Sequence, residues 1–474
     1  MIVPLMLLTL VQRPASPQAG DTAEGRPCVV VIDSVGGRTQ QVVVRQGETN
    51  IFAGGGVLAH CRETGSTLSA DSVAWFAGIG RFDMIGQRHQ VHIRDSALTL
   101  DATNAAYFLH QERLEAHRNV VAVNRVTGSV LNGPNLTYYR VVKGIRDTLE
   151  MYASGRPTID YRSSPPPDSA EPYVVVADRV RFKGNDRMWG GCKVTIDRSD
   201  VAARGDSMQL DQTTGFGVLV GAPSVEGRGK TAPGAADSGK TYTLLGTRIE
   251  LGLAQRDIRQ VKALGHGRAT GADWTLTADT IDLHIANRQL QQTFAWGDTT
   301  RPHAISTLYT IQADSLAIDS PGEILTESRA FGKSFSTAKR DSLTPPNETD
   351  WITGDTLTIR FAQEQDSVTG RPRSRLRQLL SRGQPARALT HHPDDRDTTN
   401  AGPAINYSRG HQITLTMLRD RVDHVFVSGN SDGVHLVPQP AAAADSAKTA
   451  TPPAAPPASP PPPPPPPPPR PVGP

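Results

Sequence analysis

Residues 309–332 read YTIQADSLAIDSPGEILTESRAFG, and their apolar residues alternate as they do in a β-strand. The alternation slips by one position at Ala313-Asp314 and resumes at Leu316 and Ile318. Both halves can face one interior only if the strand turns a corner or gains a residue at this pair, as happens at a β-bulge. The stretch therefore predicts a strand that bends around a shared core.

The same slip recurs along the chain. Each copy has an apolar residue, a spacer, Ala or Gly, an Asp that we call the anchor, and apolar residues two and four positions after it. Weaker copies replace the Asp by Thr247 or His411, and another is expected around residues 133–135. The anchors with Asp are Asp71, Asp101, Asp178, Asp206, Asp279, Asp314 and Asp355.

We interpret these aspartates as structural corners, because a short carboxylate can accept hydrogen bonds from backbone N–H groups that a broken ladder leaves free. The alternative is that these aspartates are catalytic or bind a metal. Their repetition on successive strands favours the structural role over this alternative. Each copy continues through a turn into a return strand that ends in an apolar residue, a spacer and Gly, as at residues 295–297. Anchors mostly lie about 28–43 residues apart, which predicts an all-β repeat array of stacked antiparallel strand pairs.

Composition excludes several classes of function. The net charge is only +3, without a basic run, which disfavours nucleic-acid binding. No GxSxG, Walker or HExxH motif occurs, so we expect no catalytic residue, no metal and no cofactor. Cys28 and Cys61 can pair in an oxidising compartment and leave Cys192 free, or all three can remain thiols.

Both ends of the chain differ from its body. Residues 1–11 are apolar and uncharged, which predicts a secretory signal over residues 1–20; a buried first strand or a misassigned start is the alternative. The body comprises residues 28–164 and 173–438, either as two arrays or as one. Residues 439–474 are rich in Ala and Pro and predict a disordered tail with polyproline II character.

The repeat resembles the organic-solvent-tolerance (OstA-like) family of periplasmic lipopolysaccharide-transport proteins. The resemblance is clearest over residues 50–87 and continues less sharply to about residue 438. It implies a folded, V-shaped antiparallel β-jellyroll in the periplasm or cell envelope, and a non-enzymatic role. A hydrophobic groove would shield the acyl chains of lipopolysaccharide or another acylated lipid during transport to the outer membrane.

The resemblance also implies partners and a binding surface. Terminal strands would pair edge to edge with other jellyroll components of the route, or head to tail with a second copy, unless loops cap them. Filling of a closed core is the alternative role for the expected groove residues. These are the apolar residues after each anchor: Val73, Trp75, Val180, Phe182, Ile249, Leu251, Ile281, Leu283, Leu316, Ile318, Leu357, Ile359, Ile413 and Leu415.

Other interpretations remain open at this point. A cell-envelope or extracellular β-solenoid scaffold or adhesion protein with a dry core is the main alternative, and a polysaccharide-active β-helix is a third. His391-His392 with Asp394-Asp395 is interpreted as a solvated insertion rather than a metal site. The arginine-rich residues 371–387 are interpreted as a solvated turn, with binding of lipid phosphates as the alternative.

Overall fold

The computed structural model describes residues 28–162, 171–228, 240–254, 257–271, 274–307, 309–338, 348–365, 372–392, 403–418 and 421–437. The expected signal segment, residues 1–20, and the expected tail, residues 439–474, lie outside the described residues. The described residues form an all-β structure of 32 strands in one sheet, and all strand pairs are antiparallel. This is the repetitive antiparallel jellyroll that the repeat predicts.

The strands in chain order are β1 (Val30–Val35), β2 (Thr39–Arg45), β3 (Glu48–Cys61), β4 (Thr67–Phe76), β5 (Arg81–Ile85), β6 (Val91–Arg94), β7 (Leu98–Ala102), β8 (Asn104–Phe108), β9 (Arg113–Asn124), β10 (Val130–Tyr139), β11 (Glu150–Ser154), β12 (Thr158–Tyr161), β13 (Tyr173–Val176), β14 (Arg179–Lys183), β15 (Arg187–Arg198), β16 (Val201–Asp211), β17 (Phe216–Val220), β18 (Ser224–Arg228), β19 (Lys240–Leu245), β20 (Arg248–Ala254), β21 (Asp257–Thr270), β22 (Trp274–Ala286), β23 (Gln289–Trp296), β24 (His303–Ser306), β25 (Tyr309–Gln312), β26 (Ser315–Asp319), β27 (Glu327–Ala338), β28 (Trp351–Gln365), β29 (Pro372–His392), β30 (Ala404–Leu418), β31 (Arg421–Ser428) and β32 (Asp432–Leu436). Short 3-10 helices occupy Ala77–Ile79, Leu109–Gln111 and Pro321–Glu323.

The sheet is folded along a line that we call the corner, which divides it into two walls. The first wall contains β2, β5, β8, β11, β14, β17, β20, β23, β26 and β31, and the second contains β1, β6, β7, β12, β13, β18, β19, β24, β25 and β32. The long strands β3, β4, β9, β10, β15, β16, β21, β22 and β27 to β30 cross the corner and belong to both walls. We call each traverse of the chain through both walls a pass, so every pass contributes strands to both walls.

The predicted slip is a β-bulge at the corner. In the β3–β4 pair, Gly54 lies opposite Ser72 and Val57 lies opposite Ala70, so two residues of β3 face the single anchor Asp71. The two residues are Gly55 and Gly56, with φ of 87° and 96°. The same two-against-one arrangement occurs opposite Pro134, Asp206, Asp279 and Asp355.

The glycine that ends each repeat lies beside an anchor. Gly265 has a φ of 71°, and its carbonyl accepts the backbone N–H of Thr247 at 2.9 Å. A Cβ at Gly265 would approach Thr247 Oγ1 to 2.8 Å. Gly332 likewise accepts the N–H of Asp314, at 3.0 Å. Glycine is needed here because the φ is left-handed and the neighbouring anchor occupies the space of a side chain.

Two anchor carboxylates bind backbone of the next pass. Asp71 Oδ2 accepts the N–H groups of Gln87 at 2.6 Å and His89 at 2.9 Å. These hydrogen bonds hold the pKa of Asp71 well below its usual range, and the bond from the His89 N–H has the largest effect. Asp279 accepts the N–H of Thr300 at 3.0 Å, and the pKa of Asp279 is lowered for the same reason.

Two other anchors pair with arginines of the preceding pass. Asp178 Oδ1 accepts a hydrogen bond from Arg156 Nη1 at 2.9 Å. Asp314 Oδ1 lies 2.9 Å from Arg301 Nε. Both pairs are partly exposed, so their net contribution to stability is small. The anchors therefore contact a neighbouring pass, but the partner of the side chain differs: it is a backbone N–H group at Asp71 and Asp279 and an arginine at Asp178 and Asp314.

The expected corner at Asp101 is corrected by the structure. Asp101 lies inside β7, where its Oδ1 is 2.7 Å from His92 Nδ1. The corner of this pass is Thr103, which donates its N–H to the carbonyl of Arg118 and accepts the N–H of Gly86. The small residue and the apolar positions fit the repeat two residues later, as Leu100-x-Ala-Thr103-x-Ala-x-Tyr. Alignment of this copy on its Asp alone therefore places the corner two residues too early.

The body of the chain forms one continuous sheet. Strand β12 pairs with β13, and β11 pairs with β14, so the ladder continues on both sides of the interval between residues 162 and 171. The arginine-rich segment is not a turn, because its described part belongs to β29, a strand of 21 residues. Leu379 and Ser381 of β29 face the interior, while Arg382 is exposed.

Substitution of the corner glycine Gly265 by Ala should destabilise the protein more than the same substitution at Gly65. Gly65 also has a left-handed φ, 66°, but a Cβ there would meet nothing within 4 Å. We expect a loss of about 1 kcal/mol for Gly65→Ala and about 2–4 kcal/mol for Gly265→Ala. Denaturant unfolding measures both, and equal losses would contradict the role of the Thr247 contact.

Candidate ligand-binding interior

The expected groove residues all lie in the first wall and point to the interior. They belong to the same hydrophobic cluster as the buried residues of the second wall. Trp75 and Ile318 are partly buried and pack against this cluster, whereas the others are buried within it. The structure therefore brings these residues together on one continuous apolar surface, and it also packs them against side chains of the facing wall.

Large and small residues alternate across this surface. Register places Ile281 opposite Ala295, Ala295 opposite Leu316, Leu316 opposite Ala330, and Ala330 opposite Leu357. The large members come from anchor strands and the alanines from return strands. This alternation lets neighbouring side chains interlock at the density of a protein interior.

The second wall supplies residues that the expected groove omitted. Leu276 and Ala278 precede the anchor Asp279 by three residues and one, and both are fully buried. Leu244, Ile311 and Ala313 take the equivalent positions in other passes and are also buried. The repeat contained this signal, because the residues before each anchor are as regularly apolar as those after it.

Side chains fill most of the interior that the described residues enclose. A cavity of about 40 Å³ lies among Tyr173, Met188 and Leu251. Another of about 60 Å³ lies beside Cys61 and Tyr107. Each has room for about one or two water-sized groups. An acyl chain would therefore need the two walls to separate and would replace contacts that they make with each other.

The walls meet along the edges that lie away from the corner, and we call this line the mouth. The strand pairs of the described residues join neighbours within a wall or across the corner, and none joins the two edges of the mouth. Side-chain contacts hold these edges together instead. The rings of Tyr309 in the second wall and Phe361 in the first are 5.8 Å apart.

A buried polar cluster around Glu112 holds the mouth near its N-terminal end. Glu112 of the first wall has a side chain only 4% exposed, and its Oε2 lies 3.0 Å from Arg140 Nη1. Its Oε1 accepts the backbone N–H of Cys28, from the second wall, at 2.8 Å. Tyr107 also donates its hydroxyl to Glu112. Burial raises the pKa of Asp95, which lies in the second wall close to Arg140.

A second polar bridge lies near the middle of the mouth. Arg198 of the second wall, with a side chain 3% exposed, pairs with Asp200 of its own wall and with Asp257 of the first wall at 3.1 Å. Arg288 of the first wall approaches Asp200 at 3.8 Å. Because this cluster is paired and buried, removal of one partner would leave an uncompensated charge.

The cysteines take one of the two states that the sequence left open. Cys28 and Cys61 form a disulfide with a Cα–Cα distance of 5.4 Å, and Cys192 is free. The disulfide ties the segment before β1 to the end of β3 in the second wall. It therefore fixes the position of Cys28, whose backbone N–H meets Glu112 across the mouth.

His391 differs from its expected solvated state. It belongs to β29 and its side chain is 1% exposed. Its Nδ1 lies 2.7 Å from Asp350 Oδ1 and its Nε2 lies 2.7 Å from Glu348 Oε2. The partners were missed because they precede His391 by about 40 residues and reach it only through the β28–β29 pairing. Asp394 and Asp395 lie outside the described residues.

No group of three or more His, Cys, Asp and Glu side chains in the described part of the chain is placed to hold a metal ion. No helix among those residues is long and apolar enough to cross a membrane. A comparison of the sequence with models of known protein families gives no match, and a comparison with curated proteins gives none either.

His391 should make stability depend on pH. Burial opposes its charge, but the hydrogen bonds to Asp350 and Glu348 outweigh burial and raise its pKa above 6.5. Its contribution is therefore fully present below pH 6.5 and is lost as the pH rises through the raised pKa. The difference in unfolding free energy between the wild type and His391→Gln should shrink as the pH rises.

Denaturant unfolding from pH 5.5 to pH 9 measures this difference in steps of about half a unit. His424→Gln is the control, because the His424 side chain is 79% exposed. If the difference between the wild type and His391→Gln stays constant over this range, the ion-paired state of His391 is wrong.

Proposed function

We propose that this chain is a non-enzymatic protein of the OstA-like type that shields the acyl chains of lipopolysaccharide or a related glycolipid in the periplasm. The observation that supports the proposal is the continuous apolar interior between two walls, which extends from Cys28 to Leu415. The walls are joined by backbone only through the corner, so the mouth offers a long route to this interior.

The physical need for such an interior is large. Each methylene group left in water costs about 0.8 kcal/mol, so a lipid with several acyl chains needs a continuous apolar cover to cross an aqueous compartment. The head group would remain at the mouth, where Arg288 is partly exposed. Phosphate groups of a glycolipid would find a partner there, since guanidinium binds phosphate well.

Uptake of a lipid would require the mouth to open. The hydrogen bond of Glu112 to Cys28, the ion pair of Arg198 and the ring contact of Tyr309 all involve side chains, and they can break without disrupting any strand pair. The corner opposes this opening little, because a bulge interrupts the ladder at each long-strand hairpin. Acyl chains would then replace the contacts between the two walls.

The end strands support the proposed partners. Among the described residues, β1 and β2 pair only with β3, and β31 and β32 pair only with β30. Both edges carry exposed apolar side chains, such as Val43 at 71% and Phe426 at 63%. An unpaired edge of this kind favours addition of a further strand. We propose that it joins another jellyroll component of the route or a second copy of this chain.

A cell-envelope scaffold with a dry core is the second candidate function. It is favoured by the packing of the interior, since Ile249, Leu276 and Ile281 are fully buried and the cavity beside Leu251 is small. In this case the walls would never separate. The two candidates therefore differ in one measurable property, which is access of a lipid to the interior.

Photo-crosslinking in cells tests that access. Benzoylphenylalanine placed at Ile281, Leu316 or Leu357 should capture a lipid, because these residues face the interior of the first wall. The same probe at Thr358 is the matched control, because it lies next to Leu357 on the opposite face of β28. Capture at the three interior positions but not at Thr358 is expected, and absence of lipid at all three would favour the scaffold.

A bridge across the mouth tests the route of uptake. Asn124 of the second wall donates a hydrogen bond to Asn185 of the first at 2.8 Å. Cysteines at both positions, in a Cys192→Ser background, would be joined by a short bismaleimide. Capture at Leu316 should fall in the bridged protein and persist in the unbridged double variant. Equal capture in both would show that the lipid does not pass between these edges.

A further inference from the structure

The outer face of the first wall carries a cleft of about 420 Å³, which is a size typical of ligand sites. It extends over the four neighbouring strands β10, β11, β14 and β15. Gly191 lines the cleft at an outward position between Arg179 and Ser207, and its lack of a side chain leaves room for the Arg179 side chain. The apolar interior lies on the opposite side of the same wall.

Two aromatic rings and an arginine form a row along one side of the cleft. Register places Tyr152 opposite Arg181 and Arg181 opposite Trp189. The Arg181 guanidinium carbon is 5.3 Å from the centre of each ring. Glu150 accepts a hydrogen bond from Arg181 at 3.3 Å and one from the Tyr152 hydroxyl at 2.6 Å. These contacts fix the positions of both rings.

The cleft has an excess of positive charge. Arg179 is exposed, and among the described residues no carboxylate forms an ion pair with it. Its side chain lies over Gly191, where a Cβ would be 3.0 Å from Arg179 Nε. The Nε of Arg181 is buried and has no hydrogen-bond acceptor in the same part of the chain. Arg179 thus retains accessible donors for a ligand, while Arg181 adds positive charge between the two rings.

We propose that this cleft binds an acidic saccharide. A sugar ring would lie against Tyr152 or Trp189, because aromatic side chains present a broad apolar face and a fixed edge. A carboxylate or phosphate on the sugar would pair with Arg179. Asn135 and Ser154, on the other side of the cleft, offer the amide and hydroxyl groups that bind sugar hydroxyls.

The inference goes beyond the proposed function, because it concerns the outer face and does not require a lipid between the walls. Two sources would supply this chemistry. One is the oligosaccharide of a glycolipid, and the other is a free uronic-acid polymer of the cell envelope. Both present pyranose rings with anionic groups, and the affinities of their isolated forms distinguish them.

Isothermal titration of the full chain tests the proposal with four probes. The acidic probes are tetragalacturonic acid and the oligosaccharide that remains when alkali removes the acyl chains of lipopolysaccharide. Maltotetraose is the neutral probe, and inorganic phosphate is the anion without a sugar. We expect at least one acidic probe to bind more tightly than both maltotetraose and phosphate, and the tighter acidic probe identifies the source.

Variants locate the binding. Arg179→Gln and Trp189→Phe should each weaken the acidic probe about tenfold, the cost of a lost charged hydrogen bond or ring contact. Arg268→Gln is the matched control, because Arg268 is an exposed arginine of the second wall, outside the cleft. The unfolding curve of each variant shows that it is folded, so that a loss of affinity is not a loss of structure.

Three results would overturn the inference. The first is the absence of saturable binding by both acidic probes. The second is equal binding of maltotetraose or phosphate, which would remove the need for an acidic saccharide. The third is an unchanged affinity in Arg179→Gln and Trp189→Phe, which would place the binding elsewhere on the protein.

Discussion

The structure depends on the contact between an anchor residue and the backbone of the neighbouring pass at the corner. Where Asp314 donates its N–H to Gly332, the glycine adopts a left-handed φ that leaves room for the anchor. The same contact joins Thr247 to Gly265. Because extra residues face the anchor in each long-strand hairpin, two in most of them and three opposite His411, the apolar face keeps its direction while the strand bends. A single sheet can therefore form two walls around one interior.

The corner and the mouth differ in the forces that hold them. Backbone hydrogen bonds and the chain itself join the walls at the corner, whereas the mouth has ion pairs such as Arg198–Asp257 and packed rings. Buried ion pairs contribute less to stability than their number suggests, because the charges lose their hydration. A sheet built in this way is strong along its strands and weakest where its two edges meet.

The two faces of the first wall have separate chemistry. The inner face is apolar at Leu316 and Leu357, while the outer face carries Tyr152, Arg179 and Trp189 around a cleft. Alternation along each strand makes this separation possible, since neighbouring residues point to opposite sides. The proposed lipid and the proposed saccharide would therefore use the same strands without competing for the same side chains.

The local sequence pattern predicted the all-β class, all but one of the expected Asp corners and the inward residues of the first wall, because these are local properties of a repeat of period two. Its one misplaced corner, Asp101 instead of Thr103, arose because the repeat requires a small residue before the anchor more strictly than it requires Asp. Only the tertiary structure decided the packing of the interior, the Cys28–Cys61 disulfide and the burial of His391. These depend on contacts between residues about 30–40 positions apart, and local patterns contain no information on such pairings.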